Sequence, residues 1–184
     1  MLLQSIARQR KVRYFAYIGA VVLFTLFTIL SARITIPLPF TPVPVTMQVL
    51  AVLLAGLVLG ARGGALSQLL YLAAIAGGLP VDAYGRGAAA LSGPTAGYLI
   101  GFVAGAFVTG WVAAQLSTSR TGRFIAALAG LAAIYLCGVT WLAFVMGSLE
   151  AAVLGGLVPF LGVDLLKAFL AASVAEGGRW LLRA

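Results

Sequence analysis

The sequence has no histidine, a single cysteine and few charged side chains. Without histidine, the chain cannot form a Ser-His-Asp triad, an imidazole metal site or an imidazole proton relay. The lone Cys137 excludes a disulfide within the chain. The phosphate-binding motif Gly-x-x-x-x-Gly-Lys-Ser/Thr is also absent, so any ATP hydrolysis must come from another protein. These absences disfavour an enzyme, and neither a metal nor a cofactor is expected.

Hydrophobic residues, by contrast, make up 62% of the 184 residues, and charged residues only 9%. Soluble domains average about 45–50% and about 25% for the same two classes. A soluble domain of this size has too little interior to bury so much apolar surface, whereas a bilayer accommodates it. The apolar runs are continuous rather than alternating, which indicates helices rather than strands. The sequence therefore predicts an all-α membrane protein with a single transmembrane domain over residues 1–184.

Proline, glycine and charged residues divide the apolar sequence into about six transmembrane spans. The predicted spans cover residues 14–32, 45–60, 65–76, 95–115, 124–147 and 157–182. The second and third are shorter than the ~20 residues of a full crossing. Irregular backbone within a membrane must be covered by protein or reached by water. We therefore expect a cavity in the outer half, roofed by the loops after spans 1 and 3. Ordinary short helices with tilted neighbours are the alternative.

The basic residues predict the orientation of the chain in the membrane. With the N-terminus inside, the cytoplasmic side carries Arg8, Arg10, Lys11, Arg13, Arg62, Arg120, Arg123, Arg179 and Arg183. Only Arg33 and Arg86 fall outside. Cytoplasmic loops of membrane proteins carry the excess of Lys and Arg, so both termini are expected to be cytoplasmic. The apolar run after Arg13, of about 20 residues, is too long for a signal peptide and is interpreted as a retained first helix.

Asp164 and Lys167 are the most informative charged residues, because they lie within the sixth predicted span. Their spacing of three residues places them on one helix face. An ionisable residue inside a span costs a few kcal/mol, so it usually faces a cavity, a partner or a ligand. We interpret the pair as ligand-binding: Lys167 offers a cation to a carboxylate, and Asp164 accepts from ligand N–H groups. An ion pair that only satisfies itself is the alternative.

Other candidate binding residues are weaker in isolation. Arg86 lies in a loop predicted to be on the outer side, where arginines that determine membrane orientation are least expected. Thr95 and Tyr98 follow Pro94 at a predicted helix start, whose free N–H groups can hold a carboxylate or carbonyl oxygen. The remaining candidates are the amide of Gln48 and the ring of Trp141, which could stack on a ligand. The alternatives are a solvated loop charge, plain helix initiation and core packing.

Four motifs occur in order along the chain: Pro42-Val43-Pro44-Val45-Thr46-Met47-Gln48, Gly77-Gly78-Leu79-Pro80-Val81, Gly93-Pro94-Thr95-Ala96-Gly97-Tyr98-Leu99 and Asp164-Leu165-Leu166-Lys167-Ala168. Together they resemble the BioY family, the biotin-specific substrate-binding (S) components of energy-coupling factor (ECF) transporters. The resemblance covers nearly the whole chain. It implies a six-helix S-component bundle with a biotin site near the outer face, in the cytoplasmic membrane of a bacterium or archaeon.

The resemblance also implies partners, namely a transmembrane coupling subunit and a pair of cytoplasmic ATPases. Ala16 and Ala20 form a small-x-x-x-small pair on the first span. In S components an alanine pair of this spacing is where the coupling subunit docks; lipid exposure or internal packing is the alternative. Three positions depart from the family pattern: Asp82 replaces an aromatic residue, Ala96 a glycine and Gly162 a proline. Asp82 bears on the shape of the loop after the third span.

Other functions fit the same residues less well. An ion-coupled or facilitative secondary transporter of a small carboxylated vitamin would use Asp164 as its proton-coupling group. An intramembrane enzyme is disfavoured because histidine is absent and paired carboxylates are scarce. A purely structural subunit would not need Asp164 and Lys167 inside a span. The polarity of the candidate residues does not separate biotin from similar vitamins, so biotin rests on the resemblance.

Overall fold

The computed structural model describes residues 2–116 and 119–181, with side chains described over 12–116 and 119–178. The elements are α1 (Leu2–Arg33), β1 (Thr35–Ile36), β2 (Val45–Thr46), α2 (Gln48–Ala76), a 3-10 helix (Gly87–Leu91), α3 (Ala96–Gln115), α4 (Arg120–Met146), α5 (Leu149–Gly156) and α6 (Leu161–Leu181). The prediction of an all-α membrane fold is confirmed. Outside the described part lie Arg183, the end of the predicted sixth span, and the side chains of Arg8, Arg10, Lys11 and Arg179.

The α2 helix is a hairpin of two arms rather than one rod. Gly60 interrupts it with non-helical torsions, φ 74° and ψ 179°, which glycine adopts without a Cβ clash. Gln48 and Tyr71 are hydrogen-bonded at 2.8 Å, although 23 residues of continuous helix would separate them by roughly 35 Å. The arms also touch near the turn, where a Cβ on Gly64 would lie 2.9 Å from the Cα of Gly56. The arms therefore correspond to the second and third predicted spans.

By length and composition, four described helices could cross a membrane, counting α2 as one. The α5 and α6 helices, bent by 54° at the break between them, form a fifth candidate. Pro159 lies in this break, where a residue without a backbone N–H interrupts the helix ladder. Counting the two arms of α2 separately gives six segments. The sixth predicted span is thus a broken helix that begins at Leu149 rather than at residue 157.

Glycines allow α3 to pack closely between α2 and α4. A Cβ on Gly101 would lie 2.9 Å from the carbonyl oxygen of Ile134, and one on Gly105 would lie 3.0 Å from that of Gly130. On the opposite side, Gly110 faces the backbone of the hairpin turn. Such contacts let helix backbones approach closely, which supports association in lipid where the hydrophobic effect does not. The α3 helix is therefore the centre of the bundle.

The α1 helix lies at the edge of the bundle and is held to the second arm of α2 by a buried polar seam. Thr25 Oγ1 donates to the carbonyl oxygen of Ser67 at 2.9 Å. Gln68 Nε2 donates to Thr28 Oγ1 at 3.2 Å. All four side chains are buried. Hydrogen bonds of this kind join helices inside a membrane.

Replacing Gly110 with alanine is expected to destabilise the fold, because the new methyl group would overlap the backbone of Gly60 and Ala61. Backbone cannot turn aside as a flexible side chain can, so we expect a loss of about 1–3 kcal/mol. The matched control is Gly19→Ala on α1, where no atom lies within 4 Å of the added carbon. Thermal unfolding of both purified variants in detergent measures the difference. Equal midpoints would contradict the packing of α3 on the hairpin.

Candidate functional site

A cavity lies at the end of the bundle where α1 ends and where α2, α3 and α6 begin. It encloses about 640 Å³ of empty space, including its opening to solvent. The part of this space that can hold the centre of a water molecule is about 60 Å³. Apolar and polar side chains share its wall: Val43, Pro44, Thr46, Gln48, Val49, Asp82, Ala83, Tyr84, Thr95, Tyr98, Leu99, Phe102, Ile134, Tyr135, Phe160, Asp164 and Lys167.

Three hydrogen-bonded side chains, Asp164, Lys167 and Tyr135, form the floor of the cavity. Lys167 Nζ donates to Asp164 Oδ1 at 2.6 Å, and Tyr135 Oη donates to Asp164 Oδ2 at 2.7 Å. Asp164 and Lys167 are only 4% and 3% exposed. Asp164 also lies in the first turn of α6, where the helix dipole favours a negative charge. The floor is a neutral ion pair in which each carboxylate oxygen has a donor.

Tyr98 is held rigidly beside the floor. Its hydroxyl donates to the carbonyl oxygen of Gly156 at 2.7 Å, which links α3 to the end of α5. Its ring occupies the space that a side chain at Gly138 would fill, and Gly156 likewise leaves room for its hydroxyl. These two glycines therefore place the ring of Tyr98 against the cavity.

The opposite wall is the start of α2. Gln48 Nε2 donates to the hydroxyl of Tyr71 at 2.8 Å, and that hydroxyl donates to the carbonyl oxygen of Val81 at 3.3 Å. Within the described chain, Gln48 Oε1 accepts no hydrogen bond and Thr95 Oγ1 makes none. Lys167 uses one of its three N–H donors. The wall and floor thus offer a ligand both donors and an acceptor.

The loop over residues 80–87, the roof loop, covers the cavity. The carboxylate of Asp82 accepts from the backbone N–H of Tyr84 at 3.1 Å and of Gly87 at 2.8 Å. The Arg33 guanidinium donates to the carbonyl oxygen of Pro80. The loop is therefore tied to the end of α1 at its start and folded by its own aspartate beyond it.

Five of the seven sequence-predicted binding residues line the cavity: Gln48, Thr95, Tyr98, Asp164 and Lys167. Arg86 is exposed outside it, with its Cζ 4.8 Å from the ring centroid of Tyr84, which does line the cavity. The Trp141 indole donates to the carbonyl oxygen of Gly93 at 2.9 Å and packs against Gly97. It supports the start of α3 and does not line the cavity.

No pattern in the sequence indicates a role for Tyr135 or Asp82. Tyr135 lies in a long apolar run, and the only signal is that a buried tyrosine hydroxyl needs a partner. Asp82 was noted only as a departure from a family pattern. Asp82 is buried because backbone N–H groups of its own loop donate hydrogen bonds to its carboxylate. A sequence pattern does not show which backbone N–H groups a side chain meets.

The predicted docking pair lies on the free side of α1. Ala16 is exposed, Ala20 is partly exposed, and nothing lies within 4 Å of a Cβ built on Gly19 between them. The large side chains around the pair are also exposed, including Phe15, Ile18 and Leu23. No described part of the chain covers this face at Gly19, which leaves room for lipid or for another helix.

The amino-acid sequence of this chain is similar to the sequences of one protein family. The sequence model of the BioY family matches residues 7–184. The biotin transporter BioY of Thermotoga maritima is 42% identical over 83% of this chain and 89% of its own length. The probable biotin transporter BioY of Pyrococcus horikoshii is 40% identical over 86% of this chain and 93% of its own. The Rhizobium etli biotin transporter BioY is 52% identical, but the match spans only 44% of that protein's length.

A solved structure has the same fold. The crystal structure of the S-component for biotin from an ECF-type ABC transporter superimposes with a TM-score of 0.84 at 30% sequence identity. The match covers 91% of this chain and 92% of that one. The likeness therefore extends over both the cavity end and the opposite end of the bundle.

Asp164→Leu is expected to lower the thermal unfolding midpoint of the ligand-free protein, because it leaves the Lys167 ammonium buried without its partner. Breaking a buried ion pair costs about 3–5 kcal/mol. The double variant Asp164→Leu/Lys167→Met, which removes both charges, should recover most of that loss. If the double variant is no more stable than the single one, an uncompensated charge is not the cause.

Proposed function

The chain belongs to the BioY family, and from this premise we propose that it binds biotin and serves as the substrate-binding (S) component of an ECF-type transporter for biotin uptake. It is a multi-pass membrane protein and not an enzyme. The observation that carries the proposal is the cavity with its buried ion pair, in a fold shared with a biotin S-component along 91% of the chain. Secondary transport of a carboxylated vitamin is not favoured.

The chemistry of the cavity suits the ring end of biotin, which has a ureido group fused to an apolar thiolane ring. The floor pair is neutral overall, and a neutral polar group is a better partner for it than a second anion. The free N–H donors of Lys167 suit the ureido carbonyl, and Gln48 Oε1 suits a ureido N–H. Leu99, Phe102 and Ile134 supply apolar wall for the rings.

The carboxylate of biotin then extends toward the opening under the roof loop. The Arg86 guanidinium is exposed and lies with its Cζ 4.8 Å from the ring centroid of Tyr84, which lines the cavity. A solvated cation at the mouth attracts the anion without the cost of burying a charge. In this arrangement the carboxylate of biotin interacts with Arg86 rather than with Lys167, and Lys167 donates a hydrogen bond to the ureido group.

We propose that both termini are cytoplasmic and that the cavity opens at the outer face of a bacterial or archaeal cytoplasmic membrane. The distribution of Lys and Arg along the sequence supports this orientation. The proposed partners are a transmembrane coupling subunit and paired ATPases, since the chain has no phosphate-binding loop of its own. Ala16 and Ala20 are the proposed docking pair. Ala16 precedes Arg33 by 17 residues, about 25 Å along α1, so docking takes place far from the cavity.

Lys167→Ala is expected to weaken biotin binding by two to three orders of magnitude, because it strands the buried Asp164 carboxylate and removes a ligand donor. Asp164→Asn should cost less, since its amide oxygen still accepts. Arg62→Ala, an exposed arginine outside the cavity, is the control. Titration of the purified, monodisperse variants with biotin measures all three. Wild-type affinity in both floor variants would remove the floor from the binding site.

Ala16→Trp is expected to block assembly and leave the biotin site intact, because a large side chain fills the groove between small residues. The purified variant should bind biotin normally, while cells lose biotin uptake and the ATPases no longer co-purify. Leu30→Trp is the control, because it lies at an exposed position near the cavity end of α1. This variant should still bind biotin, support biotin uptake and co-purify with the ATPases. Equal loss of binding and uptake in Ala16→Trp would mean that this face of α1 supports the fold instead.

A further inference from the structure

Asp82 is an acidic side chain in the wall of the cavity that is the proposed biotin site. It is 3% exposed and lines the cavity beside Ala83 and Tyr84. An unpaired carboxylate there would repel the carboxylate of biotin and would itself be costly to bury. Its position therefore requires a partner for the charge.

The partners of the Asp82 carboxylate belong to the roof loop itself. One oxygen accepts from the N–H of Tyr84 and the other from the N–H of Gly87. Hydrogen bonds to a charged acceptor are roughly twice as strong as neutral ones. Because both carboxylate oxygens accept hydrogen bonds from backbone N–H groups of the loop, Asp82 stabilises the conformation of the loop rather than presenting its charge to a ligand.

The start and the tip of the roof loop are held differently. The start is fixed by residues outside the loop. The Arg33 guanidinium donates a hydrogen bond to the Pro80 carbonyl oxygen, and the Tyr71 hydroxyl donates one to the Val81 carbonyl oxygen. The tip contains Gly85 and Gly87, both with positive φ, and a Cβ on Gly87 would lie 2.8 Å from the Gly78 carbonyl oxygen. Among the described residues, Asp82 supplies the side-chain hydrogen bonds to the tip backbone.

Tyr84 is the residue that this arrangement positions. It lines the cavity, its N–H is bonded to Asp82, and its ring carries the Arg86 guanidinium. Holding the Tyr84 backbone therefore sets both a piece of cavity wall and the location of the Arg86 guanidinium that stacks on the Tyr84 ring. The loop can perform this role before any ligand arrives, because its hydrogen bonds are internal.

We propose that Asp82 is a positioning residue that keeps the roof loop folded over the cavity, so that Tyr84 and Arg86 slow the escape of bound biotin. This inference rests on the proposed function, because it assigns the retention of biotin to the roof loop. A pre-formed loop lowers the ordering cost of binding, and such effects act mainly on the dissociation rate.

The test has a kinetic arm with purified protein and labelled biotin. Asp82→Ala should raise the dissociation rate about ten- to a hundredfold, and Asp82→Asn should raise it less, because one acceptor oxygen remains. In a Tyr84→Ala background, Asp82→Ala should add little, because Asp82 acts through Tyr84. Glu150→Ala removes an exposed carboxylate outside the cavity and is the charge-matched control.

A second arm measures hydrogen exchange in the ligand-free protein over peptides that contain residues 82–87. The wild type should protect the amides of Tyr84 and Gly87, and Asp82→Ala should lose that protection while the floor helices keep theirs. Failure of the wild type to bind biotin would refute the proposed function, and the exchange arm would still decide the role of Asp82.

Three results would overturn the inference. The first is unchanged exchange of the loop in Asp82→Ala. The second is a dissociation rate within twofold of the wild type. The third is an equal increase with and without Tyr84, which would mean that Asp82 contacts the ligand directly rather than positioning the loop.

Discussion

The burial of two opposite charges, Asp164 and Lys167, is the constraint on which the cavity end of the molecule depends. Neither charge is tolerated alone in a lipid-embedded bundle, so each needs the other together with further donors and acceptors. Tyr135 on α4 supplies the second donor to Asp164, and the break before α6 puts this carboxylate in a first helical turn. The fold can therefore keep two charged side chains buried at the floor of the cavity.

The rest of the architecture leaves room above that floor. Because Gly60 turns α2 back on itself, both ends of α2 lie at the cavity end, and the start of the first arm becomes a cavity wall. Glycines let α3 approach both neighbours and hold Tyr98 in place. The roof loop is tied to α1 through Arg33 and to α2 through Tyr71. The cavity and Ala16 on α1 are thus at different ends of the bundle, so the proposed docking pair lies apart from the proposed biotin site.

Features that rest on local pattern could be predicted from the sequence. The long apolar runs predict the helices. The two charged residues inside such a run predict the polar floor of the cavity, because the free-energy cost of a charge in lipid does not depend on the details of the fold. The predicted spans 45–60 and 65–76 put the turn between residues 60 and 65, next to its actual position at Gly60. Features that rest on tertiary contacts were not accessible: the partner of Asp164, the support that Trp141 gives to Gly93, and the internal bonds of Asp82. Periodicity and composition carry no information about which hydroxyl or backbone N–H meets a given side chain.

In the proposed binding mode, the buried ion pair of Asp164 and Lys167 recognises the ureido end of biotin. Competition against labelled biotin on the purified protein tests it directly, with unlabelled biotin and with the thiolane pentanoate that lacks the ureido ring. We expect the ring-deleted analogue to compete several orders of magnitude more weakly than biotin, because sites built to hydrogen-bond a polar group reject analogues that lack it. If the analogue competed at concentrations similar to those of biotin, the ion pair would contribute nothing to recognition and this binding mode would be wrong.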